Sequence, residues 1–244
     1  MNIPGTKEML NIWERSRGKP LVEKTMDLLY LASPDSVDPA TLAIGERDAR
    51  LLQLRERMFG SELLNVAECP DCHERIEWTS HVGDLLSPNK NSGTGTTPFY
   101  TLEADEYSIR FRLPNSYDMI RVTTDSFYRS NPKKVFLDCI VEAKKDMEDC
   151  APDDVPDEIL NELDKRMAEV DPQAEIDMLL ICPKCAHHWS MRFDILSYLW
   201  IEIDSWARHV LQEVITLASA FAWSESDILA MSPRRRQLYL QMIK

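Results

Sequence analysis

Two short cysteine pairs, Cys69-Pro70-Asp71-Cys72 and Cys182-Pro183-Lys184-Cys185, stand more than a hundred residues apart in a chain of 244. Each pair has the spacing with which two thiolates grip one tetrahedral ion. Together they supply the four sulfurs of a closed structural Zn²⁺ site. A metal that takes two ligands from each pair must bring residues near 70 and near 184 together, which turns the stretch between them into an insertion. Closing so long a loop costs entropy that grows only logarithmically with length, against about 10–16 kcal/mol for structural Zn²⁺ in small peptides. Metal affinity outweighs that cost. Four protein sulfurs leave no open coordination position, so such a site holds structure and does not catalyse.

The surroundings of the pairs resemble each other. Leu64-Asn65-Val66 precedes the first and Ile76-Glu77-Trp78 follows it; Met178-Leu179-Leu180-Ile181 precedes the second and Trp189 to Phe193 follow it. Both read as strand, metal turn, strand, with Pro70 and Pro183 presetting φ in the turn. Zinc ribbons are built from two such hairpins. Other chemistries use similar spellings. Cys69 to His73 formally reads Cys-x-x-Cys-His, the c-type haem attachment pattern, but the second pair has no haem spacing. Redox Cys-x-x-Cys motifs usually come singly beside a βαβ pattern, which is not seen here. His73, His187 and His188 are potential replacements for a sulfur ligand, yet with four cysteines present they read as exposed turn residues. Cys139 and Cys150 have no partner at metal spacing and read as small buried hydrophobes.

A hydrophobic fraction of 44% with 28% charged residues is ordinary for a globular chain that buries a core. No run approaches the roughly 18 apolar residues of a membrane span, and Met1-Asn2-Ile3-Pro4-Gly5 has no signal-peptide character. Thiolate ligands suit a reducing cytoplasm. The formal net charge of −13 argues against a nucleic-acid surface, which needs clustered Lys and Arg. The one dense basic run, Arg234-Arg235-Arg236, reads as the solvated face of a terminal helix or as a docking point for an acidic partner.

Along the chain, helices are predicted from Met9 to near Gly18, over Leu21–Leu31, and from Ile44 to Phe59. In the last of these, Leu51, Leu52, Leu54 and Met58 face one side, Arg50, Arg55, Glu56 and Arg57 mostly the other, and Gly60 closes the helix. Ser87–Pro98 reads as a flexible loop. Tyr107, Ile109 and Phe111 alternate with polar residues, the period of a half-buried strand. Leu113–Ser116 stops it, and Asn115 or Ser116 caps a helix through about Phe127. Further helices are predicted from Pro132 to about Lys145 and, after an acidic solvated stretch at Asp146–Asp157, from Pro156 to about Val170. From Ile195 to Phe221 a broad apolar stripe at helical spacing marks the clearest helix, with two short helices after Ser224 and Ser232-Pro233.

The expected architecture is therefore α+β and mainly α-helical, with two zinc-knuckle hairpins forming one split zinc ribbon. Its segments are an N-terminal helical region (1–68), a first zinc hairpin (69–80), an insertion (81–177, with the loop at 87–98, a short strand and helices), a second zinc hairpin (178–194) and C-terminal helices (195–244). No Gly-x-Ser-x-Gly, His-Glu-x-x-His or P-loop occurs, and neither an enzyme nor a small-molecule substrate is expected.

Phe221–Leu229 followed by Ser232–Leu240 resembles the C-terminal signature of the baseplate hub assembly chaperones of T-even-type phages, relatives of which occur in gene clusters of phage-tail-like contractile injection systems. The similarity extends to Ile44–Ala49, Leu54–Gly60, both cysteine pairs and Phe111–Ser116, and touches most of the chain. The resemblance implies a cytoplasmic assembly factor of the producing bacterial cell, with hub or other baseplate proteins as partners; charge and the lack of a long apolar run argue for neither nucleic acid nor membrane as a partner. A structural subunit retained in the particle is the alternative, followed by a nucleic-acid-binding zinc ribbon. No catalytic residue carries over. Trp206, Phe221, Trp223 and Tyr239, with Arg234, Arg235 and Arg236, are the candidate partner contacts, because aromatic and Arg side chains dominate interface energetics.

Overall fold

The computed structural model describes residues 2–33, 37–87, 98–131 and 133–243. In chain order the elements are α1 (Thr6–Arg15), α2 (Leu21–Ala32), α3 (Ile44–Phe59), β1 (Glu62–Glu68), β2 (Arg75–His81), α4 (Val82–Leu85), β3 (Phe99–Ala104), β4 (Tyr107–Arg112), α5 (Ser116–Thr124), α6 (Ser126–Ser130), α7 (Lys133–Cys139), β5 (Ile140–Lys145), β6 (Glu148–Asp149), α8 (Asp157–Val170), β7 (Ile176–Ile181), β8 (His188–Phe193), α9 (Ile195–Phe221), α10 (Glu225–Leu229) and α11 (Pro233–Met242). The fold is mixed α/β, and helix predominates. Among the described residues, no helix is long and apolar enough to cross a membrane.

Two compact units share the chain: Met1–Ser33 with Leu196–Lys244, and Pro34–Ile195. Both cysteine hairpins and the segment between them lie in the second unit. The region 1–68 is divided, α1 and α2 going with the C-terminal helices and α3 with the hairpins.

In the first unit, α1 and α2 bury Met9, Leu10, Trp13, Val22, Met26, Leu28 and Leu29, and α9 buries Leu199, Ile203, Ala207 and Val210 at the helical spacing read from the sequence. The Trp13 indole donates to Asp204 Oδ1 at 2.9 Å, which fixes α1 beside α9. At the far end, Val214, Leu217 and Ile228 form a small core covered by Trp223, Leu229, Tyr239 and Leu240, so α10 and α11 fold back on α9. Ile215 and Phe221, counted in the apolar stripe, are exposed. Ser224 and Ser232 cap the last two helices through Asp227 N and Arg235 N, as the Ser spacing predicts.

The second unit is centred on a four-stranded antiparallel sheet, order β3-β4-β5-β6. Its buried face combines Tyr107, Ile109 and Phe111 of β4 with Ile140 and Ala143 of β5 and with Ile159, Leu160, Leu163 and Met167 of α8. Here the structure departs from the sequence reading. The predicted helix over 132–145 runs only as α7 from Lys133 to Cys139; from Ile140 the chain becomes β5. Ile140-Val141 is β-branched, and pairing Ile109 with Ala143 and Phe111 with Ile140 satisfies the open edge of β4, with Val141 as the extra residue at a register shift. Strand β3, unrecognised in the sequence, pairs along all of β4. The acidic stretch 146–157 contributes β6 and a 3₁₀ turn at Pro152–Asp154, and Val155 within it is buried. Asn115 caps α5, but that helix stops at Thr124 because Asp125 caps α6. Of the loop read over Ser87–Pro98, residues 88–97 lie outside the described residues.

Helix α3 occupies the predicted span. It ends on Gly60 at φ 94°, a backbone that glycine adopts without strain. Arg55 is not on its polar side: the side chain is buried and Nη1 donates to Gly60 O at 2.6 Å, satisfying a carbonyl just past the helix end. At the other end, Gly45 N donates to Asp171 Oδ2 at 2.9 Å, and a Cβ at this position would stand 1.9 Å from Asp171 Oδ1.

Candidate metal centre

Strands β1 and β2 pair from Glu62↔His81 to Glu68↔Arg75, and β7 and β8 from Ile176↔Phe193 to Ile181↔His188. Each hairpin closes on one cysteine turn, and the two turns have the same hydrogen bonds. Cys69 N donates to Glu74 O at 2.9 Å, and Cys182 N to His187 O at 2.9 Å. The carbonyl of Cys69 accepts from His73 N at 3.0 Å, and that of Cys182 from Ala186 N at 2.9 Å. The residue after the second cysteine is left-handed in both, His73 at φ 58° and Ala186 at φ 59°.

These turns bring four sulfurs together. Cys69 Sγ lies 3.7 Å from Cys185 Sγ and Cys72 Sγ 3.5 Å from Cys182 Sγ, with all four sulfurs within 4.8 Å of one another. A disulfide would need about 2.05 Å. A tetrahedral ion bound through metal–sulfur bonds of about 2.3 Å needs sulfur–sulfur edges of about 3.8 Å, close to the observed spacing. Cys69 and Cys182 are buried at the base of the group. The backbone N–H of Cys185, helped by that of Lys184, draws the Cys182 thiol down to about 7, while crowding by the neighbouring sulfurs holds the Cys72 and Cys185 thiols up, so the four sulfurs share their charge unevenly. Lys184 Nζ meets Glu74 Oε2 at 2.8 Å and links the two turns at the surface.

The histidines stand elsewhere. His73 Nδ1 meets Glu68 Oε1 at 2.7 Å on the exposed side, His187 stacks on Trp189, and His188 is exposed on β8. Cys139 is buried in the sheet core, where burial pushes its thiol up to about 12, and Cys150 packs at the margin of the same core.

Of the candidate partner contacts, three converge. Phe221 stacks on Trp223 with ring centroids 4.5 Å apart, and Tyr239 meets both rings edge-on. Arg235 extends the cluster, its guanidinium 5.7 Å from the Tyr239 ring. Arg234 is exposed. Trp206 is separate, since the fifteen residue steps along α9 from it to Phe221 span about 22 Å. Arg236 is not on the basic surface: it is buried, with Nε 2.8 Å from Glu213 Oε2 and Nη1 donating to Met231 O at 2.9 Å.

The sequence reading missed a set of buried polar locks elsewhere in the second unit. Arg47 is 1% exposed, with Nε bonded to Asp48 at 2.7 Å and Nη1 donating to Ser116 Oγ at 3.2 Å, while Ile44 N donates to Pro114 O. The strings Ile44–Ala49 and Phe111–Ser116 therefore meet in space. Arg112 grips the buried Asp118 through both terminal nitrogens, at 2.6 and 2.9 Å. Gln173 accepts from Ser87 N and donates to Leu85 O, tying the end of α4 to the 3₁₀ turn after α8. The available signal was Arg47 at position i−4 from Leu51, a charge inside an apolar stripe.

A family model described as T4 bacteriophage base plate protein matches residues 22–200. The matched stretch runs from α2 into the first turns of α9 and contains all four clustered cysteines. No curated protein and no solved structure matches the chain.

Proposed function

The chain belongs to the T4 bacteriophage base plate protein family, and on that premise we propose that it is a non-enzymatic assembly factor for the baseplate hub of a contractile tail or phage-tail-like injection system, held together by one structural Zn²⁺ on Cys69, Cys72, Cys182 and Cys185. The observation that carries this reading is the closed four-sulfur group inside the family-matched stretch. Four thiolates saturate a tetrahedral ion, so the metal's contribution is cross-linking two hairpins in a split zinc ribbon, not activating a substrate. Partner contact falls to surface side chains, and the Phe221–Trp223–Tyr239 cluster with Arg234 and Arg235 is the proposed hub-facing patch, Trp206 being a separate contact. The setting is the cytoplasm of the producing cell.

A second reading rests on the printed family description: a structural baseplate subunit that stays in the particle. Two measurements separate them. Tagged protein purified from cells expressing the tail genes should co-elute with a hub or baseplate protein and carry about one zinc per chain. Quantified in purified particles, an assembly factor is missing or substoichiometric, whereas a subunit is present at fixed stoichiometry. Arg235→Glu with Trp223→Ser should reduce co-elution without loss of zinc; undiminished co-elution removes the C-terminal patch from the interface.

A further inference from the structure

Away from the cysteine centre, the first unit has a cavity of about 270 Å³ walled by Trp13 and Trp200. Its charged lining points to a ligand: Arg17, Lys24 and Arg208 stand there with a single carboxylate, Asp204. Arg17 and Lys24 hold their cationic ends over the indoles, at 4.8 Å from the Trp13 ring and 5.1 Å from the Trp200 ring. Neither makes an ion pair among the described residues. In a chain with a formal net charge of −13, three cations set against the one carboxylate of Asp204, which both Arg208 and Arg17 help to hold ionised, form a local field for an anion.

The third cation in the lining is already engaged. Arg208 Nε meets Asp204 Oδ2 at 2.8 Å, and Asp204 Oδ1 accepts from the Trp13 indole. That carboxylate and the carbonyl-rich end of α1, from which Ser16 and Arg17 project, weigh against a doubly charged phosphate. A single flat negative group fits better: it can take hydrogen bonds from Arg17 and Lys24 while an attached apolar group lies against an indole. We propose that this cavity is a binding socket for a carboxylate carried on an apolar stem, such as the C-terminus of a partner polypeptide or an organic acid. The proposal is independent of the assembly reading and of the metal.

Calorimetric titration of the full chain tests it with five probes: 3-phenylpropanoate, its amide, acetyl-Ala-Ala-Phe with a free and with an amidated C-terminus, and inorganic phosphate. The carboxylates should bind at least 10-fold more tightly than their amides, and phosphate more weakly than either acid. Arg17→Ala and Lys24→Met should each weaken the acids about 10-fold and leave the amides unchanged. Tighter binding of the peptide acid than of phenylpropanoate assigns the socket to a chain terminus, and the reverse order to a free acid. Equal affinity for acids and amides, tighter binding of phosphate, or folded variants with undiminished acid binding would overturn the proposal.

Discussion

His73 and Ala186 occupy the same position in the two cysteine turns, each directly after the second cysteine, and both are left-handed, at φ 58° and 59°. Each N–H donates back to the carbonyl of its first cysteine. The repetition shows that the turn geometry goes with the shared Cys-Pro-x-Cys string, because the residues flanking the two turns differ while the backbone does not.

A left-handed non-glycine residue costs about 1–2 kcal/mol, partly offset in a glycine variant by the greater freedom of the unfolded chain. His73→Gly and Ala186→Gly should therefore each stabilise the protein by up to about 1 kcal/mol, raising Tm by about 2–4 °C. The exposed His73–Glu68 pair contributes little to the balance. Thermal melts of the two variants check this, and a fall in Tm for both would show that the side chains do more than tolerate the turn.

Cys182→Ser should release the metal and lower Tm by about 10 °C or more, since structural metal binding is folding free energy. Metal content and melting measured on the same sample decide it. An unchanged Tm would sink the structural role of the four-sulfur group.

The three arginines near the C-terminus should separate sharply. Arg236→Ala leaves Glu213 buried without its guanidinium and should cost about 3–5 kcal/mol, whereas Arg234→Ala, at an exposed site, should change stability by less than about 0.5 kcal/mol. Denaturant titrations of the two variants make the comparison.

Burial lifts the Asp48 carboxyl from 3.8 to about 6, against the lowering influence of Arg47. The folded protein then retains a proton that the unfolded chain releases. The contribution is fully present below about pH 4 and is lost as pH rises to about 6, by at most about 3 kcal/mol. Asp48→Asn keeps an acceptor for Arg47 but cannot titrate. The stability of the native protein relative to this variant should therefore fall between pH 4 and 6 and level off above pH 7. A constant difference across that range excludes a raised Asp48.

The parts of this protein set by local rules were legible in its sequence. The span of α3 from Ile44 to Phe59 with its glycine stop, the 27 residues of α9 and the Ser caps of α10 and α11 follow from hydrogen bonds and periodicity within one segment. The meeting of Cys69 and Cys72 with Cys182 and Cys185 was legible for a different reason: four thiols at matched spacing imply a shared centre whatever the fold between them.

Only the tertiary structure decided the rest. Ile140–Lys145 is a strand because β4 offers it an edge, and β3 exists because the other edge of β4 was open. Arg47 and Arg236 are buried because Ser116 and Glu213, distant in sequence, arrive to pair with them. Helices α1 and α2 join α9 rather than α3. Each of these outcomes depends on a partner from another part of the chain. Spacing along a single segment holds no record of such partners, because the energy of a strand edge or a buried charge is fixed by what packs against it.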